Sequence, residues 1–321
     1  VGLTLAFLRN CDKITSELGN STVTIGDGTG SAGYRQAAEG SADVMVITIS
    51  MAANTSSNSS ATIGGGLNAI ATENHIYTNV KDGASILADG DVSIGAASDM
   101  NLILVSLSVS GAASGVAEGG TFGVIVHQGQ AVVTIGSAQD GSTGVTAVSK
   151  NGSIAISAVN KEQLINILAS GSGSAKGTGV AGVVSVLVTQ SLSNISLGNN
   201  VTLRAARDVT LNTESDSWLL VVSLAVSASG SGAAAGATIS VNVFDRQACI
   251  TTGSNLSITA GGDIVVQAQG KDVTIVVALA AAGSGSGSAI SGTIPVIVAS
   301  SKIQCTVGDN ARIVAGGSVG I

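Results

Sequence analysis

The residues of this chain whose types could do chemistry are few: Cys11, Cys249 and Cys305, His75 and His127, and a set of aspartates placed at turns. The cysteines form no CxxC pair and no Cys/His cluster, which a zinc site would require, so no zinc centre is expected. The aspartates are more regular. Asp91, Asp208 and Asp263 close the turns Asp89-Gly90-Asp91, Ala206-Arg207-Asp208 and Gly261-Gly262-Asp263, and Gly316-Gly317-Ser318 echoes them. Oxygen-rich turns suit calcium, and tandem GGxGxDxUx repeats wind calcium-binding rolls. Only Gly261-Gly262-Asp263 approaches that pattern, and it has no tandem copies. Turn chemistry is therefore the expectation, with Asp91, Asp208 and Asp263 as weak calcium candidates and no other metal or cofactor. A second acidic group, Asp99, Glu214, Asp216 and Asp272, gathers elsewhere.

Catalysis on an extended β scaffold needs converging carboxylates or a base in one groove, and for sugars usually an aromatic platform. The two histidines stand at unrelated positions, no Ser/His/Asp or paired-carboxylate pattern emerges, and aromatics are 2% of the chain. No enzyme is expected. The glycine-serine blocks at 171–179, 230–236 and 283–292 have neither the following helix nor the lysine of a phosphate loop. A net charge of −7 without a Lys/Arg run argues against nucleic acid. A threonine array for ice fails, because Thr251, Thr252 and Thr259 are answered elsewhere by Leu197, Arg204 and Val307. Sequons at Asn20, Asn54, Asn58, Asn151, Asn194, Asn200 and Asn255 are what chance gives in a chain so rich in Asn, Ser and Thr.

Mean hydropathy of +0.50 raises the question of a membrane. A spanning helix needs about 20 consecutive apolar residues. The best runs, such as Val273–Gly283, are shorter and place Thr or Ser among them. One Trp, two Tyr and three Phe cannot build the aromatic girdles of an outer-membrane barrel. No membrane span is expected. Val1–Leu8 shows no charged n-region or cleavage site, so an export signal is expected outside these residues.

What positions these residues is a repeat. Segments 163–217, 218–272 and 273–321 align without a gap at a period of 55 residues. Residues 101–162 join them after a seven-residue insertion around 137–144, 46–100 fits less well, and 1–45 is a partial, irregular unit. The chain thus reads as a window in one continuous array. Within a unit the apolar residues alternate, the mark of strands. A first strand carries Leu220, Val222, Leu224 and Val226, and a second carries Ile239, Val241 and Val243. A third carries Ile250 and Thr252, and two short ones carry Leu256 with Ile258, then Ile264 with Val266 and Ala268. These ladders are assigned to the interior. Cys305 takes the place of Ile250 and faces in, whereas Cys249 and His127 face out and Pro295 falls on an outward position. A Cys249–Cys305 bond is not expected; intermolecular pairing of Cys11 or Cys249 stays open.

Stacked identical units without helical patterns give an all-β, right-handed parallel β-solenoid. A 55-residue unit most simply supplies two coils, one large coil being the alternative. Twelve coils at ~4.8 Å each would make a rod of about 55 Å. The glycine-rich blocks read as small-residue crossings where two backbones approach closely.

The string ATISVNVFDRQACITTGSNLSITAGGDIVVQAQ (237–269), with its preceding Gly/Ala block, resembles the leukotoxin-like filamentous adhesins and related large repetitive bacterial exoproteins. The likeness covers most of 46–321, especially Val184–Val188, Val92–Ala96 and Ala311–Val319. It implies an exported structural segment of a bacterial surface fibre or stalk, extracellular or cell-surface. Its partners would be neighbouring repeats or identical chains end to end, and host-cell surface or extracellular matrix. The alternative is an adhesive module recognising host glycans or proteins through an outer face.

Overall fold

The computed structural model describes residues 1–28, 30–56 and 61–321, and among them every regular element is a β-strand. Eighteen strands fall into three parallel sheets of six, and one turn of the chain contributes one strand to each. The fold is a parallel β-solenoid. Its coils are β1 (Gly2–Leu18), β2 (Thr22–Ile25) and β3 (Tyr34–Asn54); then β4 (Ala61–Val80), β5 (Ser85–Ala88) and β6 (Val92–Ala112). The third has β7 (Val116–Ile135), β8 (Thr146–Ser149) and β9 (Ile154–Ser174), and the fourth β10 (Gly179–Leu197), β11 (Thr202–Ala205) and β12 (Val209–Ser229). The fifth has β13 (Ala234–Thr252), β14 (Ser257–Ala260) and β15 (Ile264–Ser284), and the sixth β16 (Ala289–Thr306), β17 (Arg312–Ala315) and β18 (Val319–Gly320).

Each unit is therefore one large coil, not two. Ile239 pairs with Ile294 and Val209 with Ile264, a full repeat apart, which leaves no room for an intervening coil. Six strands per sheet at ~4.8 Å give a stack of about 24 Å, half the length expected. Two predicted breaks are also absent. The segments around Ile239 and Ile250 belong to one 19-residue strand. The end of one repeat and the start of the next belong to one 21-residue strand. Six of the seven inserted residues fall between β7 and β8 and the seventh in the turn 150–153. Asp82 ties the insertion down, accepting from the Thr143 and Gly144 amides at 2.8 and 2.9 Å.

The long strands cross two different regions. Near the short sheet the cross-section is three-sided, and we call it the base. Here Ile86, Ala147, Leu203 and Ile258 stack in register and are buried. Ile76, Val133, Ile195 and Ile250 face them from one long sheet, and Ile94, Ile156 and Leu211 from the other. This half matches the expected apolar interior. The two long sheets then continue past the base, face to face, until the glycine-rich turns join them; we call this part the blade. In it the assignment is reversed. Leu219, Val221 and Ala225 are buried, whereas Leu220, Val222, Leu224 and Val226 lie on the outer surface. On the facing strand Thr238, Ser240 and Asn242 are buried, and Ile239, Val241 and Val243 lie outside.

The reversal follows from how closely the two sheets approach. A Cβ added at Gly179 would stand 2.4 Å from the Ala228 carbonyl oxygen, and one at Gly236 2.7 Å from that of Ala281. Only Gly, Ala, Ser, Thr and Asn fit such a gap over most of its length, and their polar atoms then need partners. Asn166 Nδ2 donates to Ser185 Oγ at 2.9 Å, Thr48 Oγ1 to Ser106 Oγ at 2.9 Å, and Thr238 Oγ1 to the Leu279 carbonyl at 3.0 Å. Where the gap widens toward the base, Leu102, Leu164, Leu187 and Leu219 fill it. Pro295, expected outside, pairs in register with the buried Ser240 and so sits on the inward row.

Candidate functional site

The sequence-derived candidates come first. Asp91, Asp208 and Asp263 stack at one corner of the base, as expected, and each carboxylate serves the coil above it. Asp91 Oδ1 accepts from the Ser153 amide at 2.8 Å, Asp208 Oδ1 from the Asp263 amide at 2.8 Å, and Asp263 Oδ1 from the Ser318 amide at 2.7 Å. The three form a hydrogen-bonded ladder along the axis. Among the described residues no group of three or more His, Cys, Asp or Glu could hold a metal ion. In the repeated turns of this corner the glycines are needed for stacking: a Cβ at Gly261 would meet the Ala206 oxygen at 2.1 Å, and it is in the first coil that Gly26 and Gly28 take positive φ here. Left-handed residues recur at the preceding corner, as Gly83, Gly144, Asn200, Asn255 and Asn310, with φ from +56° to +79°.

The cysteines stay apart: all three are free, Cys305 pairs in register with inward Ile250, and Cys249 alternates with the outward set yet is buried. The sequon at Asn58 lies outside the described residues. His127, expected to face out, is fully buried. Its Nδ1 lies 2.8 Å from Thr72 Oγ1 and its Nε2 3.3 Å from Glu162 Oε1. Asn160 Nδ2 donates to the same Glu162 oxygen at 2.9 Å and also to Ser191 Oγ, which is 2.9 Å from Ser215 Oγ. One coil-width away Arg246 points inward and pairs with Asp272. Burial holds the Arg246 guanidinium below its ordinary value, with Glu162 and Asp216 pulling it back up. These groups form a polar seam where the base meets the blade. The His127 and Glu162 side chains are closed to solvent, and the seam's hydrogen bonds tie facing strands together in register. The sequence hinted at it only through polar residues interrupting each long apolar pattern.

Outside the seam, Asp99, Lys161, Asp216 and Lys271 stand in order on neighbouring strands, a row of alternating charge. Beside it a shallow groove of about 300 Å³ is lined by Gln163, Trp218 and Val273 together with this row. Beyond the row of Asp43, Asn101, Gln163, Trp218 and Val273 next to it, the blade's outer faces in the inner coils are apolar or glycine as far as the last turn-side row, where Glu118 stands; in the first coil Arg9 interrupts the Glu118 face. One face carries ladders such as Ile103, Ile165, Leu220 and Ile275, and the other Phe122, Val184, Ile239 and Ile294. Even in inner coils these residues stay open: Val109 is 50% exposed, Val226 43%, Phe122 40% and Ile239 39%. An apolar surface this continuous marks an interaction site. The sequence reading placed these ladders inside.

Comparison with known proteins returns no match to a family model, to a curated protein or to a solved structure.

Proposed function

We propose that the chain is a non-catalytic structural segment of an extracellular bacterial fibre or surface stalk, working through stacked coils. One observation carries this reading: every coil presents to the next the same ladders in the same register, so each coil is a template for its neighbour. Ile154, Val209 and Ile264 continue one column, and Asn200 and Asn255 another, linked by a 3.0 Å side-chain hydrogen bond. Such an object gains stiffness by adding coils, and its terminal strands present unpaired backbone to another coil or chain. Electron microscopy of the intact native protein tests it. Unbranched rods are expected, and discrete particles with the mass of a 31.0 kDa chain would count against it.

The Trp218 groove favours a second reading, adhesion to host glycans, because a half-buried aromatic beside charged groups can serve as a sugar platform. Selective, saturable binding on a glycan array that disappears in Trp218→Ala would establish that role. Binding that survives the substitution would remove it.

A further inference from the structure

We infer that the blade is a self-association surface, and that its occupant is the blade of a second copy of this chain packed face to face. The face in question is built by β4, β7, β10, β13 and their neighbours. Its outward side chains are apolar or glycine from the Gly120 row to the Val126 row, about 8 residues of strand with Glu118 at the tip-side edge, so about 26 Å by about 25 Å is offered to a partner. That is about 650 Å² per copy, within the range of specific protein–protein interfaces.

Relief on this face identifies the occupant. Leu67, Phe122 and Val184 form a ridge along the solenoid axis. Two residues nearer the tip, Gly65, Gly120 and Gly182 form a trough parallel to it, part of an apolar groove of about 430 Å³. The inward glycines of the blade have an intrachain reason to be glycine, the facing sheet. The trough has none at its centre: a Cβ at Gly120 or Gly182 would meet nothing within 4 Å, and neither has a positive φ. Glycine weakens a strand unless another backbone comes close. A two-fold axis running along the solenoid between ridge and trough exchanges them, so that each copy's ridge fills the other's trough. This is an isologous contact that closes on itself. A lipid layer would wet the same apolar face, but fluid acyl chains conform to any relief and give no role to a glycine trough.

The inference rests on the scaffold reading for the common direction of the two copies, and the two fail separately. Sedimentation of the chain in detergent-free buffer is the test, with Gly120→Val/Gly182→Val as the variant. Valine has room there and suits a strand, so the variant's circular dichroism spectrum should match the wild type. Wild type is expected at twice the 31.0 kDa chain mass or more, and the variant at least about tenfold weaker in association. A monomeric wild type, or a variant that associates unchanged, overturns the pairing. So does flotation with phosphatidylethanolamine–phosphatidylglycerol vesicles that the variant retains or strengthens, which would assign the face to lipid. Rods that persist at single width in the variant keep the scaffold and confirm the pairing; wild-type particles that pair but form no rods remove the scaffold alone.

Discussion

Base and blade are built from the same strands, yet they solve burial in opposite ways. In the base, Ile156, Leu203 and Ile258 point inward and side chains such as Arg204, Asn212 and Thr259 point out. In the blade, Ser223, Ser240 and Asn242 point inward and Leu220, Val241 and Leu224 point out. The difference is one of spacing between sheets. Three sheets around a wide triangle leave a space that only large aliphatics fill, whereas two sheets drawn together by a tight turn leave space only for small side chains. The base stores the stability of the coil, and the blade spends its apolar residues on its surroundings.

The sharpest way to break that contrast is to empty one base position. Leu203→Ala should destabilise by about 2–5 kcal/mol, because the rigid ladder around it cannot collapse into the cavity; denaturant unfolding would read it. A loss below about 1 kcal/mol would mean the base is not the core. At the seam, Glu162→Ala leaves Asn160 Nδ2 and His127 Nε2 facing an empty acceptor site. A loss of about 1–3 kcal/mol is expected. The double change His127→Leu/Glu162→Leu should recover part of it, a cycle that isolates the pair.

Acid should act on the corners of the base before the blade. The Asp82 carboxyl is held below its ordinary value of 3.8, chiefly by the Ser142 hydroxyl, and partial burial opposes this. Asp89 is likewise lowered, chiefly by the Gly28 amide at 2.7 Å, with Lys150 adding to it and burial opposing. A depressed folded pKa means that stability is complete above the unfolded value of 3.8 and lost as pH falls through the lower folded value. Hydrogen exchange should therefore rise first in loops 26–28 and 137–144 as pH drops below about 4. Protection lost first in the blade would contradict this ordering. At the corner that Asp89 occupies, Asp208→Ala should remove about 1 kcal/mol with the Asp263 amide bond. Added calcium should leave the wild-type melting midpoint unmoved, since a rise abolished by Asp208→Ala would make that ladder a calcium site. The smallest effect belongs to the blade exterior. Leu224→Ser should change the stability of the isolated chain by no more than about 0.5 kcal/mol, against several for Leu203→Ala.

The sequence displayed the signal for the reversal. In one repeat the apolar residues occupy 239, 241 and 243, then 248 and 250, so the alternation changes from odd to even positions. A break in the strand was one explanation, and it supported five short strands all facing in. The other is an unbroken strand whose apolar side switches faces, and the structure has the second. The same switch separates Leu211 from Leu220 within β12. His127 and Glu162 were illegible for a related reason: their faces depended on that continuity, and they meet only because two long sheets face each other.

What the sequence determined by itself was the period, the parallel stacking of identical ladders, the corner residues and the small-residue crossing. All of these are local or repeat with the chain, and stacking copies one unit's pattern onto the next. Alternation also fixed which residues share a face. It could not say which face is inside, since period two is the same viewed from either side of a sheet. That choice, and the count of one coil per repeat, belonged to the tertiary structure. The turns at the glycine-serine blocks draw two sheets so close that only small residues fit between them, and the large ones are left outside.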